Sequence, residues 1–295
     1  MSEPPAPAPN PRRLLAAAGL RAKKSWGQNF LCDQDALAQI AATSEAGPQR
    51  PVVELGAGLG ALTYHLLLRG GHVLAIERDR ELVPVLRRAL AWAETLEVLE
   101  EDAVKLDYAA LRARLGGEAL TVAGNLPYQL SSRILVGLAE AAPNVERAVL
   151  LVQREVAERL VATPGGRDYG LLTVLAGRVF AAEIVRSVSP AAFLPPPKVW
   201  SAVVRLVAHG GSRSAAADAH LVRAARAAFS QRRKTLRNAV SGGLGAPKEA
   251  VAKAIEAAGI DPGARAETLS IEQFARLGQA LQTAGFFAMP AAPQT

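Results

Sequence analysis

The chain has 295 residues, half of them hydrophobic and 21% charged, which excludes wholesale disorder and fibrous repeats and leaves room for one large or two smaller domains. Lys and Arg number 34 against 27 Asp and Glu, a net +7, and this excess favours an anionic partner such as nucleic acid or an anionic membrane surface. The single cysteine, Cys32, excludes an intramolecular disulfide, and no apolar run approaches the ~18–20 residues that span a bilayer.

These features, with an N-terminus that lacks the order of a signal peptide, place the protein in the cytoplasm. The four His and one Cys are scattered without ligand spacing, so no metal site is expected. Five prolines within residues 1–11 mark a disordered tail, taken here as residues 1–20. A basic stretch follows, in which Arg12, Arg13, Arg21, Lys23 and Lys24 read as a flexible positive arm.

A helical pattern runs from Asp33 to Thr43, with Leu37, Ile40 and Ala41 on one face. Residues 51–55 read as a short buried strand, followed directly by a glycine turn and a helix over 61–68. Further strands are expected at 73–77, 96–99, 120–124 and 148–152, and helices at 82–90 and 131–139. Alternation of strand and helix means an α/β fold with a largely parallel sheet, whose ligands sit at the carboxyl ends of the strands. Two β-rich segments, 182–188 and 199–207, close this domain, which is assigned to residues 21–208. A Gly-, Ser- and Ala-rich linker is expected at 209–218, and a small all-helical C-terminal domain at 219–288.

The turn Gly56-Ala57-Gly58-Leu59-Gly60 joins a strand to a helix, and its glycines let a backbone approach a ligand without a Cβ in the way. Glu77 ends the next strand, 21 residues after Gly56, where its carboxylate can accept hydrogen bonds from both ribose hydroxyls of an adenosine. Asp102, after the third strand, can accept from an adenine amino group, though a solvated turn aspartate would look the same. Dinucleotide enzymes and S-adenosylmethionine-dependent methyltransferases share this layout, and a tight turn with no ligand is the plain alternative.

Asn125-Leu126-Pro127-Tyr128 follows the fourth strand and is the most informative tetrapeptide. The exocyclic amine of adenine is a poor nucleophile, because its lone pair is delocalised into the ring. Against a sulfonium electrophile it needs position and polarisation rather than a strong base. The Asn125 side-chain oxygen and the Leu126 carbonyl can each accept one N–H of the amine. Pro127 fixes the direction of that carbonyl, and Tyr128 offers a face for the target base, worth ~1–3 kcal/mol in stacking. Phe193, ahead of Leu194-Pro195-Pro196-Pro197-Lys198, can complete a sandwich around an extruded base, although Phe is more often a core residue.

Arg232, Arg233, Lys234 and Arg237 lie within six residues of a helical pattern, and 233, 234 and 237 would share a face suited to phosphates. Arg154 and Arg159 are further candidates for RNA contact.

Several blocks together carry a family resemblance. They are G-Q-N-F-L at 27–31, V-E-L-G-A-G-L-G-A-L-T at 53–63, N-L-P-Y at 125–128, and Q-R-E-V-A-E-R-L at 153–160. F-L-P-P-P-K-V at 193–199, A-F-S-Q-R-R-K-T-L-R-N at 228–238 and G-I-D-P-G-A-R-A-E-T-L-S at 259–270 complete them. The chain resembles, from about Lys23 to about Leu281, the bacterial ribosomal RNA adenine dimethyltransferases linked to kasugamycin sensitivity. Relatives of these enzymes include the erythromycin-resistance methyltransferases and the mitochondrial transcription factor B proteins. The resemblance implies a Rossmann-like S-adenosylmethionine-dependent methyltransferase domain. It implies a methyl-donor site of Asn29, Leu31, Gly56, Glu77, Asp102 and Asn125, with Gly58 in the cradle and Gln28-Asn29 folded over the cofactor. It also implies the substrate, two adjacent adenosines in the 3′-terminal hairpin loop of 16S ribosomal RNA, within the small subunit or its precursor; nothing in the sequence demands more than a monomer.

The chain departs from the family pattern at Ser25 and Trp26, at Gln129, and at Trp200, where Asp is usual. Two other readings stay open: an RNA-binding assembly factor with dispensable catalysis, and a resistance-type enzyme acting on large-subunit RNA. A nicotinamide dehydrogenase fits the glycine turn but leaves N-L-P-Y and the basic groups unexplained.

Overall fold

A computed structural model describes residues 6–209, 214–231 and 233–287. The chain forms two compact units, Met1–Glu158 with Phe180–His209, and Arg159–Val179 with Gly210–Thr295.

The first unit opens with helix α1 (Pro11–Ala18), strand β1 (Phe30–Leu31) and helix α2 (Gln34–Thr43). An alternating series follows: β2 (Val52–Leu55), α3 (Ala61–Leu67), β3 (Val73–Ile76), α4 (Leu82–Ala89), β4 (Leu96–Leu99), α5 (Tyr108–Arg114), β5 (Leu120–Asn125), α6 (Ser131–Glu140) and β6 (Val145–Gln153). The last strands are β7 (Phe180–Val188), β8 (Phe193–Leu194) and β9 (Ser201–Ala208). Seven of the strands form one sheet in the order β4-β3-β2-β5-β6-β9-β7. The pairs from β4 to β6 are parallel, while β9 runs antiparallel to both β6 and β7. Valines and leucines of β2 and β3 are fully buried, as continuous apolar strands covered on both faces require. Chain order reverses across β2, so the crevice at its carboxyl end is the switch point where such sheets bind ligands. β1 and β8 pair separately, with Leu31 opposite Phe193.

The second unit takes the end of α7 (Arg154–Leu160), then α8 (Leu171–Gly177), α9 (Ala215–Ala228), α10 (Leu236–Leu244), α11 (Lys248–Ala257) and α12 (Ile271–Thr283). Its core gathers Leu221, Leu236, Val251, Ile255, Phe274 and Leu277, all fully buried.

Three expectations of organisation need correction. Among residues 1–20, residues 11–18 are helical rather than disordered. Asn10 caps α1 by accepting the Arg13 N–H, Gly19 closes it in the left-handed region, and Leu15 packs with Phe30, Leu59 and Leu82. The stretch 209–218 is not all linker, because Ser214 caps α9 and the helix begins at Ala215. Residues 159–179, assigned to the first domain by sequence, belong to the second unit. Tyr169 and Val174 are buried in its core, and the Tyr169 hydroxyl donates to the Leu269 carbonyl at 2.7 Å.

Candidate active site

The strand ends around the switch point bring the expected residues to a single cleft. Gly56, Ala57 and Gly58 follow β2, Glu77 follows β3, Asp102 follows β4, and Asn125 ends β5. The same cleft is lined by Gln28, Asn29 and Leu31 from the segment around β1, and by Leu126, Pro127 and Tyr128.

The glycine turn is a backbone cradle. Gly58 has φ +57°, and a Cβ there would lie 3.2 Å from the Phe30 ring. The Gly58 N–H donates to Glu77 Oε2 at 2.8 Å, and the Asp79 N–H donates to Glu77 Oε1 at 2.8 Å. Burial pushes the Glu77 carboxyl above its usual range, opposed by these two N–H donors. Asp102 lines the cleft while one of its oxygens accepts the Val104 N–H at 3.0 Å, so the turn reading of this residue and its ligand reading coexist.

The polar groups of the tetrapeptide are unevenly engaged. Asn125 Nδ2 donates to the Asn29 carbonyl at 2.9 Å. A carbonyl can only accept, so this bond fixes which end of the amide is nitrogen, and among the described residues no donor meets Oδ1. The Leu126 N–H donates to the Leu151 carbonyl at 3.0 Å, while among the described residues no donor meets the Leu126 carbonyl. The Pro127 carbonyl is occupied, accepting from the Leu130 N–H at 2.9 Å and from Ser131 Oγ at 3.2 Å. Asn125 Oδ1 and the Leu126 carbonyl are thus two adjacent open acceptors. The Tyr128 hydroxyl is 2.6 Å from Ser201 Oγ, and burial raises the phenol's pKa, so the ring is anchored and neutral.

Phe193 does not fit its expected role. It is 4% exposed, packs in the core with Leu31 and Leu37, and is absent from the cleft lining. Pairing of β8 with β1 sets Phe193 opposite Leu31, and it is buried in the core rather than presented to the cleft.

Gln28 lines the cleft, but both ends of its amide are engaged by protein. Nε2 donates to Asp79 Oδ2 at 2.7 Å, and Oε1 accepts the Lys23 N–H at 2.8 Å.

The basic residues divide. Lys23 is no free phosphate ligand, since its Nζ lies 2.7 Å from Asp79 and 2.5 Å from Glu81. Arg154 pairs with Glu158 at 2.8 Å. Arg12 and Arg13 are exposed on α1, a helix rather than a flexible arm. Arg233 and Lys234 occupy the turn between α9 and α10, and only Arg237 is on a helix. A shared helical face is therefore ruled out for them, because Thr235 restarts the helix after the turn. All three are exposed and, among the described residues, have no carboxylate partner. Arg232 lies outside the described residues, and the Lys24 side chain is likewise not described.

Sequence reasoning missed several groups in or beside the cleft. Glu54, in the middle of β2, is 1% exposed and lines it, and its Oε2 has no hydrogen-bond partner among the described residues. Burial, with the Glu77 charge adding to it and Thr63 opposing, pushes its pKa up to about 8. A lone charged residue inside an apolar strand was the available signal. Trp26 and Arg78 also line the cleft, with the Arg78 guanidinium 4.2 Å from the Trp26 ring centre.

A family profile described as ribosomal RNA adenine dimethylase matches residues 19–283. The chain belongs to this family. The dimethylase is 48% identical over 280 residues to the ribosomal RNA small subunit methyltransferase A of Anaeromyxobacter dehalogenans strain 2CP-C, covering 92% of this chain and 98% of that one. It is 47% identical to the protein of the same name from Myxococcus xanthus strain DK1622, covering 92% and 95%. Among solved structures it resembles a dimethyladenosine transferase from Plasmodium falciparum, with TM-score 0.72, 26% identity, and 88% and 100% of the two chains covered. The 23S rRNA methyltransferase ErmE matches with TM-score 0.64 and 30% identity over 86% and 99%. The dimethylase is thus an S-adenosylmethionine-dependent rRNA methyltransferase with a Rossmann-like sheet. Among the described residues no helix is long and apolar enough to cross a membrane.

Proposed function

We propose that this chain converts two adjacent adenosines in the 3′-terminal hairpin loop of 16S ribosomal RNA to N6,N6-dimethyladenosine. It would do so as a cytoplasmic monomer, on the small subunit or its precursor, as a step of subunit assembly. The observation that carries this reading is the pair of open acceptors, Asn125 Oδ1 and the Leu126 carbonyl, beside the anchored Tyr128 ring. The relatives named for small-subunit RNA support the choice of substrate.

The cleft suits a cationic adenosyl ligand. It has a backbone cradle at Gly56–Gly58, the Glu77 and Asp102 carboxylates, and a buried oxygen on Glu54 that has no partner among the described residues. S-adenosylmethionine, when bound, supplies a methyl group on a positively charged sulfur. Glu77 has the position to accept from ribose hydroxyls, and Asp102 to accept from the adenine amine. Leu31 and the backbone around Asn29 close the other side.

The target base stacks on Tyr128, held by Ser201. Its amine donates one N–H to Asn125 Oδ1 and the other to the Leu126 carbonyl, which localises the nitrogen lone pair toward the methyl carbon. With the donor bound, the N–C bond would form as the methyl's bond to sulfur breaks and the sulfur leaves as a neutral thioether, and both oxygens would stabilise the positive charge that grows on the nitrogen. The alkylated nitrogen is acidic enough to release its proton to solvent water without a strong base. Exposed Arg233, Lys234 and Arg237 serve as phosphate contacts for the RNA.

The test offers the purified protein a choice of acceptor. Small subunits and large-subunit RNA, both unmodified, are incubated with labelled S-adenosylmethionine. Label in small-subunit RNA alone is expected. Label in large-subunit RNA alone would overturn the substrate assignment, and tight RNA binding with no transfer to either would favour the assembly-factor reading.

A further inference from the structure

The segment over residues 23–29 contributes more than a cover for the cleft. Asp79, 1% exposed, accepts from two of its side chains, Lys23 Nζ on Oδ1 and Gln28 Nε2 on Oδ2, each at 2.7 Å. Gln28 Oε1 turns back to accept the Lys23 N–H, which closes the segment into a loop around Gly27 at φ +66°. Lys23 Nζ lies 4.9 Å from the Trp26 ring centre and the Arg78 guanidinium 4.2 Å, so two cations pack on this indole. Burial alone would raise the Asp79 carboxyl, but Lys23 and Gln28 hold it below its usual range.

The next residue after Gln28 is Asn29, whose carbonyl accepts from Asn125 Nδ2. That bond decides which end of the Asn125 amide faces the substrate. Asp79 also donates its N–H to Glu77, the residue assigned to the ribose. One buried carboxylate therefore stands between the group that holds the methyl donor and the segment that orients the group receiving the amine.

We propose that Lys23, Gln28 and Asp79 are positioning residues: together they strap residues 23–29 down, so that the Asn29 carbonyl sets the Asn125 amide with Oδ1 toward the adenine amine. This rests on the function proposed above. None of the three contacts reacting atoms, and their effect reaches the chemistry through Asn125. A misaligned Asn125 costs rate, because small displacements of a reacting group cost up to about a hundredfold. Residues 27–31 also line the donor cleft, so donor affinity falls when the strap is released, and the rate is therefore read at saturating S-adenosylmethionine.

The experiment compares wild type with Gln28→Ala, Asp79→Asn, Lys23→Ala, Lys23→Arg and Asn125→Ala. For each it reads the single-turnover rate on unmodified small subunits, the Kd for S-adenosylmethionine, and the thermal midpoint. Expected are rates about 10- to 100-fold down in Gln28→Ala, Asp79→Asn and Lys23→Ala, a loss that persists once S-adenosylmethionine is saturating. Lys23→Arg, which keeps a cation for Asp79, is expected to restore the rate to within about threefold of wild type. Wild-type rates in Gln28→Ala and Asp79→Asn while Asn125→Ala is inactive would overturn the strap and leave the proposed chemistry standing. Parallel losses of rate, donor affinity and thermal midpoint in all strap variants, Lys23→Arg included, would reduce the three to a structural role and overturn it too. A wild-type rate in Asn125→Ala would instead overturn the reading of Asn125 on which the strap depends.

Discussion

In the proposed reaction the Asn125 amide has two distinct jobs. Nδ2 donates one of its hydrogens to the Asn29 carbonyl, and Oδ1 is the atom proposed to receive the adenine amine. Replacement by Ala removes the acceptor, and a transfer rate lower by about 100- to 1,000-fold is expected, the range for losing one preorganised polar group at a charged transition state. Rapid-quench single-turnover assays measure this directly. Glu54 makes a different prediction, about stability. Its pKa is raised by burial to about 8 in the folded chain, against an ordinary 4.5 when unfolded. The folded state therefore binds the proton more tightly. The group's contribution is fully present below pH about 4.5 and is lost as pH climbs toward 8, at up to ~1.4 kcal/mol per pH unit. Urea midpoints between pH 5 and 8 are expected to fall with a shallower slope in Glu54→Gln than in wild type. Equal slopes would mean that Glu54 is not the proton-binding group.

At the scale of elements, the turn between β2 and α3 joins fold and function. Gly60 sits at φ +84°, and a Cβ there would meet Leu86 Cδ1 at 2.6 Å and Leu90 Cδ1 at 2.9 Å. Gly116, at φ +103°, has nothing within 4 Å of the same position. Gly60→Ala is thus expected to cost both backbone strain and overpacking, about 2–4 kcal/mol, and Gly116→Ala only the strain, about 1–2 kcal/mol, by chemical denaturation. The parallel strands were legible in sequence because each is a short apolar run ending in a turn residue, as at Val73–Ile76 before Glu77. Helix α1 was not legible, because five prolines outweigh one buried Leu15 in a composition reading. Phe193 was misread for a related reason. Its position beside a proline run suggested a loop, whereas two residues of strand pairing with Phe30–Leu31 bury it. That Gly56, Glu77, Asp102 and Asn125 meet at one cleft was legible because strand order and chain spacing fix where they lie. Asp79 and Trp26 were not, since their roles depend on contacts across about 50 residues of chain.

For the whole molecule, net +7 matters less than where charge is uncommitted. Lys23 and Arg154 neutralise carboxylates of their own chain, whereas Arg233, Lys234 and Arg237 are exposed without such partners among the described residues. RNA affinity is expected to fall steeply with salt. Each Ala replacement at 233, 234 or 237 is expected to lower the log–log slope by about 0.7–0.9, and Lys23→Ala to leave it unchanged. Filter binding from low to physiological salt reads both slopes. A change on Lys23→Ala equal to that on Arg233→Ala would show that ion pairing to Asp79 does not withdraw Lys23 from RNA.

The central claim is dimethylation of two small-subunit adenosines through Asn125. Its most direct test counts methyl groups transferred per unmodified small subunit at completion and identifies the modified nucleosides after digestion, with Asn125→Ala alongside. An amine has two replaceable hydrogens and two adenosines are proposed, so about four methyls per subunit, all in dimethyladenosine and absent with Asn125→Ala, are expected. A plateau near two, with monomethyladenosine as the end product, or full transfer by Asn125→Ala, would contradict the account.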